Sequence, residues 1–449
     1  MVKLDKCMEI VNEDSKVFLQ AARVTYFPLA VKSAHGAIVV DADGNKYIDL
    51  LASAASINVG HSHPKVVEAI IKQVKELINY TSGYVYHEPM LELAKKLIEI
   101  TPGNHKKRVC YGLSGSDAND TMIKLVRGYT NRNNIISFIK SYHGATLGAM
   151  SLTAISPSMH KKSASLVPCI HHMPYPDCYR CSFGQKENSC HLECLKQMEI
   201  AFENYLPPDD VAAVVIEPIE GDAGIIVPPQ KYMDKLFDMC KKNGILFVSE
   251  EVQQGFGRTG KWFGIENFDI KPDMIVMGKA ISSGLPLSAI VAREEIMNAA
   301  NPPGWNFTTA ANPVSCKAAL ATIKVLEDEE LLKHTLEIGQ YIKGRFNQMK
   351  KKYEIIGDVR GLGLSIGVDL VTNRDSKERA KEAAAKICYS SWEKGIIMAF
   401  IAKNVLRIQP PLIITKEQMD KAIDVIEESI NEYLAGDISD EVLRTAKGW

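Results

Sequence analysis

The chain has 449 residues, 46% hydrophobic and 24% charged, with 53 basic against 54 acidic side chains and a formal net charge of -1. This is the composition of a globular protein with room for two domains, and the balanced charge gives no electrostatic reason to expect nucleic acid or an anionic membrane as partner. The opening segment MVKLDKCMEIVNEDSK has no signal-peptide core, and no apolar run approaches the ~18 residues of a membrane span, so the expected location is cytoplasmic.

In chain order, IVVDADGNKYIDL carries a hairpin signal at Asp43-Gly44. VVEAIIKQVKEL follows Pro64 with apolar residues at helical spacing. The short apolar runs RVCYG, NIISFI, VAAVVIEP, ILFVSE, DMIVMG and SAIVA then alternate with helix-like stretches as far as about Leu320. Such alternation predicts a mostly parallel sheet covered by helices on both faces. The C-terminal third mixes short strands such as LSIGVDL with amphipathic helices such as KEQMDKAIDVIEESINEYL. The expectation is an α/β chain with a large domain over 61–325. Segments 1–60 and 326–449 join in a smaller α+β unit.

Ten cysteines are too sparse for a disulfide scaffold in a chain of this length. Cys7, Cys110, Cys169, Cys240, Cys316 and Cys388 lie in apolar or helical contexts and read as reduced packing residues. The other four are local: Cys178-x2-Cys181-x8-Cys190-x3-Cys194 in CYRCSFGQKENSCHLEC. That spacing is compatible with a small zinc site, but the plainer expectation is a surface insertion with free thiols and no metal.

Ligands of open α/β sheets sit beyond the carboxyl ends of the strands. After RVCYG, Gly115 and Ser116 open a helix whose N–H groups suit an anion, although Ser and Asp there are more often a cap. After NIISFI, Tyr142 offers a flat surface, more often simple packing. After DMIVMG, Lys279 is a candidate to bond a carbonyl covalently, where a surface lysine is the commoner finding. The run ILFVSEE ends in Glu250 and Glu251, charges that beside a buried strand require water or a partner. A lysine, an anion cradle, a ring face and a carboxylate for a pyridine nitrogen together suit pyridoxal phosphate (PLP).

The order of these parts, in IDLLASAASINVGHSHP, SGSDA, SYHG, EPIEGDAG, SEEVQQGFGRTG, MGKAISSGLPLSA, TTAANP and LRIQPPL, resembles the fold type I, class III aminotransferase family over nearly the whole chain. The resemblance makes Lys279 the Schiff-base lysine, Tyr142 the ring-stacking aromatic, and Gly115 and Ser116 the phosphate cradle. Glu250 matches the partner of the pyridine nitrogen, one methylene longer than the family's usual aspartate, and Gln253 the residue near the ring hydroxyl. Thr308 matches a threonine that reaches the phosphate of the neighbouring subunit, which implies a homodimer or a dimer of dimers. Arg407 matches the arginine that binds the carboxylate of an amino-acid substrate.

Two departures bear on the reaction. Many 4-aminobutyrate-type members read HGRT after the aromatic, whereas this chain has His143-Gly144-Ala145-Thr146 and lacks that charge. Where such members have a glutamate, EPIEGDAG places Asp222. Both features resemble the branch of the family that racemises or epimerises α-amino acids. The expected activity is inversion at Cα of a neutral or apolar amino acid, with Lys279 and Asp222 as the acid/base groups. The alternative is a 4-aminobutyrate- or ornithine-type aminotransferase that passes an amino group to a 2-oxo acid.

Overall fold

The computed structural model describes residues 3–161, 166–302, 304 and 306–448. The chain divides into two compact units, Pro64–Leu332 and a second built from both ends, Met1–His63 with Lys333–Trp449.

The first unit is organised on a seven-stranded sheet of β1 Lys107–Gly112, β2 Asn134–Phe138, β3 Ile170–Met173, β4 Val211–Ile216, β5 Leu246–Glu250, β6 Met274–Met277 and β7 Ser288–Arg293. The order across the sheet is β1-β7-β6-β5-β4-β2-β3. All neighbours run parallel except β7, which is antiparallel to both β1 and β6. β4 and β5 are buried at every position. Their sequences do not alternate because both faces are covered. Met122, Leu125 and Val126 of the helix Gly115–Thr130 pack with Val215, Val248 and Val276 of three strands, each such side chain contributing roughly 1.5–3 kcal/mol on burial.

That helix begins where it does because Ser114 and Asp117 cap each other. Asp117 N–H donates to Ser114 Oγ at 3.4 Å, and Ser114 N–H to Asp117 Oδ1 at 3.0 Å. The same carboxylate accepts from Ser288 Oγ at 3.0 Å, fixing the helix start to β7. Asn131, in the left-handed region at φ 54°, ends the helix.

In the second unit, strands Ile38–Asp41 and Lys46–Asp49 form a hairpin. Asp41 accepts from the N–H groups of Asp43 (3.0 Å) and Asn45 (2.8 Å) and from Tyr47 Oη (2.9 Å), which closes the turn. A short strand from the other end of the chain, Ile396–Ile397, pairs parallel with Lys46–Asp49 and joins the two ends in one sheet. A separate sheet runs Ile356–Leu362, Ser365–Asn373, Val405–Ile408, Ala399–Ile401. The helix Lys416–Ala435 buries Met419, Ile423, Ile426 and Ile430, the stripe expected of 3.6-residue periodicity.

All ten cysteines are free. Cys169 is exposed, so it is not the packing residue its sequence context suggested. Among the described residues, no helix is long and apolar enough to cross a membrane.

Candidate active site

The carboxyl ends of the parallel strands gather most of the singled-out side chains. β6 leads through Gly278 to Lys279, which takes a left-handed φ of 45° and opens a 3-10 turn, Lys279–Ser282. A Cβ on Gly278 would lie 3.2 Å from the Gly115 nitrogen and 3.2 Å from Val252 Cγ1, so the strand end, the helix start and the segment after β5 meet where only glycine fits closely. Ser116 is held from the other side, its Oγ accepting from Ala145 N–H at 3.1 Å. A Cβ on Gly221 would reach within 2.1 Å of Gln253 Oε1, which brings the EPIEGDAG loop against Gln253.

The adjacent carboxylates at the end of β5 face different surroundings. Glu251 is fully buried and well bonded: Gly264 N–H (2.7 Å), Ile265 N–H (2.8 Å) and Ser249 Oγ (3.0 Å) donate to it. Burial pushes its carboxyl up to about 7, against the pull of these donors. Glu250, 3% exposed, receives one long bond, from Asn119 Nδ2 at 3.4 Å. Burial and the neighbouring Glu217 raise its carboxyl well above the usual range, and Lys279 pulls the other way. Glu251 therefore ties the strand end to a turn, while Glu250 is placed to meet a cation.

Glu217, at the end of β4, escapes a reading by motif. It accepts from Tyr142 N–H at 2.9 Å and Gly221 N–H at 3.0 Å, so one carboxylate holds both the ring-facing loop and the loop of Asp222. Burial raises it to about 7; the two N–H groups and Lys279 lower it, and Asp222 raises it. Burial also raises the Tyr142 hydroxyl, with the charges of Asp222 and Glu250 adding. Tyr142, Glu217, Asp222, Glu250 and Lys279 thus lie within electrostatic reach as one group. Asn119 braces it, donating to the His143 carbonyl at 2.8 Å. His143 is buried and held neutral, its pKa lowered to about 3 by desolvation first and His172 second. The signal that marks Glu250, an acid closing an apolar run, also marks Glu217 in VAAVVIEP. Asn119 has no such signal, since it sits in the second turn of a helix between Ala118 and Asp120.

Two further candidates lie elsewhere in the chain. Thr308 is exposed in the turn before the helix Pro313–Asp328, and no hydrogen bond among the described residues joins it to the cluster. Arg407 belongs to the second unit, in Val405–Ile408. It is buried, and its Nε donates to Gln409, whose amide donates to Ser365 Oγ at 2.8 Å.

The described residues fit PLP. Glu250 is a buried acid in want of a cationic partner, the helix start at Gly115 offers N–H groups to a phosphate, and half-buried Tyr142 lies within electrostatic reach of Glu250. A sheet whose strand ends collect a lysine, a buried carboxylate and a helix N-terminus defines a PLP-binding enzyme of the α/β type.

Sequence and structure comparisons agree. The family model for class-III aminotransferases matches residues 19–430. The chain is 45% identical over 440 residues to an isoleucine 2-epimerase of Lentilactobacillus buchneri, covering 98% of each protein. It is 46% identical over 441 residues to a leucine/methionine racemase of Thermococcus litoralis, covering 98% of this chain and 99% of the other. The structure superposes on a Bacillus anthracis aminotransferase with a TM-score of 0.88 at 30% identity, over 96% of this chain and 100% of that one. The chain belongs to the class III aminotransferase family, a PLP-dependent family.

Proposed function

We infer that the protein is a PLP-dependent amino-acid racemase or epimerase that inverts Cα of a neutral or apolar α-amino acid. One observation carries the reading: Asp222 stands on the loop that Glu217 fixes beside Tyr142, in a chain alike over nearly its full length to an epimerase and a racemase. The bound cofactor supplies an electron sink for negative charge at Cα. Glu250 would set its carboxylate against the pyridine nitrogen, and the two opposite charges would hold the acid ionised and the nitrogen protonated. Lys279 Nζ removes the Cα proton on one face, and the Asp222 carboxyl returns a proton on the other. Gly115 and Ser116 would cradle the phosphate, Tyr142 would cover the ring and Gln253 would meet the ring hydroxyl. Arg407 fills the role of carboxylate-binding arginine. Ala145 leaves the substrate side chain without a basic partner, which favours apolar amino acids over dicarboxylates.

A second copy of the chain is part of the proposal, with Thr308 reaching the partner's phosphate. The support is an exposed aromatic stretch, Tyr80, Tyr84 and Tyr86, of which Tyr86 is 97% exposed; light scattering should give a mass of at least twice 49.7 kDa. The ten free thiols suit a reducing compartment, and we place the enzyme in the cytoplasm.

The test of the reaction is chiral analysis of single amino acids incubated in heavy water without a 2-oxo acid. Inversion with deuterium at Cα is expected. Turnover only on addition of a 2-oxo acid makes the protein an aminotransferase.

A further inference from the structure

The segment between β3 and the helix Glu193–Asn204 contains one three-residue 3-10 turn, Glu187–Ser189, and no other regular element. Loops longer than about 12–15 residues without structure of their own are uncommon unless they serve a purpose. Both ends of this one are anchored, at buried Tyr175 and Leu192. Between the anchors a cavity of about 280 Å³ is lined by Cys178, Cys181, Cys190 and Cys194, with Lys231 at its wall. All four thiols are partly buried. A backbone donor already faces one of the sulfurs: Leu192 N–H donates to Cys190 Sγ at 3.2 Å. Such a donor orients the sulfur as a ligand.

We propose that these four cysteines hold a structural zinc ion in tetrathiolate coordination. The x2 pair comes from the start of the loop and the x3 pair from the helix entrance, so one ion ties both ends of an otherwise unsupported segment. Four protein ligands leave no open position, so the site has no part in the chemistry. Lys231 offsets part of the negative charge that four thiolates leave around one divalent ion. Binding displaces the thiol protons to solvent and turns the side chains inward, since among the described residues Cys7, Asp41 and Asp43 are the group whose ligand atoms already lie within 4.8 Å of one another. That tighter group is a turn rather than a site: Asp43 accepts from Lys6 and Cys7 N–H, and Asp41 is used by Asn45 and Tyr47. The zinc loop also reaches the catalytic side, since Tyr175 Oη donates to the carbonyls of Glu217 (3.0 Å) and Pro218 (3.3 Å).

The test is elemental analysis of the full-length enzyme, purified without a metal-affinity step from zinc-replete medium. About one zinc per chain is expected. The Cys178→Ser/Cys194→Ser variant should lose it, with a lower Tm. Cobalt exchange should give intense visible bands and a thiolate charge-transfer band. Should the variant fail to fold, the native protein decides: a mercurial must release zinc in step with the modification of four thiols. Zinc at background, iron in its place, full retention by the double variant, or thiols that react without releasing metal would each overturn the proposal.

Discussion

Buried acids of the two units are built on opposite plans. In the hairpin of the second unit, Asp41 receives donors from its own turn, all within six residues. Burial pushes its carboxyl up, yet the hydrogen bonds of Asn45 and Tyr47 outweigh it and hold the group below the usual range. In the first unit, Glu250 at the end of β5 has one long bond and Glu220, in the loop four residues beyond β4, has none on either oxygen among the described residues, and both are pushed well above the usual range by burial first and by Glu217 next. An acid that serves the fold is saturated by the chain around it. An acid that serves a ligand is left with bonding capacity, at a cost of several kcal/mol of desolvation. Glu251, next in sequence to Glu250, follows the first plan and shows that proximity in the chain does not decide which applies.

The sharpest test of this contrast removes the chemistry. Lys279→Ala should abolish turnover and the borohydride-trapped cofactor while leaving far-ultraviolet circular dichroism unchanged; full activity in this variant would remove Lys279 from the mechanism. Asp222→Asn should slow inversion by about 10²–10⁴-fold, as for loss of a general acid/base, with little change in cofactor affinity. Glu250→Gln should lower kcat by about 10²–10³-fold, the scale of a lost electrostatic partner. Glu251→Gln should instead leave kcat within a few fold and lose about 1–3 kcal/mol of stability, because a buried N–H is then unsatisfied. If Glu251→Gln is dead and Glu250→Gln active, the two carboxylates have been assigned the wrong way round.

The smallest effect is read from pH. Glu217 and Glu251 rise from 4.5 to about 7 in the folded chain. The folded state then holds protons that the unfolded state gives up, so their contribution is full below 4.5 and is lost as pH rises through 7. Asp41 has the opposite sign: its contribution is present above 3.8 and lost as pH falls through its lowered value. The Tm of cofactor-stripped protein should therefore fall between about pH 5 and 8. Glu217→Gln should flatten that slope and Glu220→Gln should do so as well; an unchanged slope in both would mean that these acids are not held protonated.

Much of this architecture is legible in the residues themselves. VAAVVI, LFVSE and MIVM announce strands because a sheet covered on both faces needs continuous apolar runs, and Glu250, Tyr142 and Lys279 are found by standing just beyond such runs. β3 is not legible: IHHM has two histidines where a strand signal needs apolar side chains. Nor is the reversed direction of β7, since SAIVA is equally apolar in either sense. Glu217 bonds a backbone N–H 75 residues away, and Asn119 meets Glu250 across 131 residues. No local pattern encodes such distances.

Lys279 sits at φ 45°, a left-handed conformation that costs a side-chain-bearing residue roughly 1–2 kcal/mol. A glycine there would relax the backbone, so Lys279→Gly should melt later than Lys279→Ala by up to about 1 kcal/mol equivalent. Selection for persistence alone would replace the lysine. On the role proposed for Lys279, the strained residue records a trade between durability and turnover, settled in favour of turnover at this position.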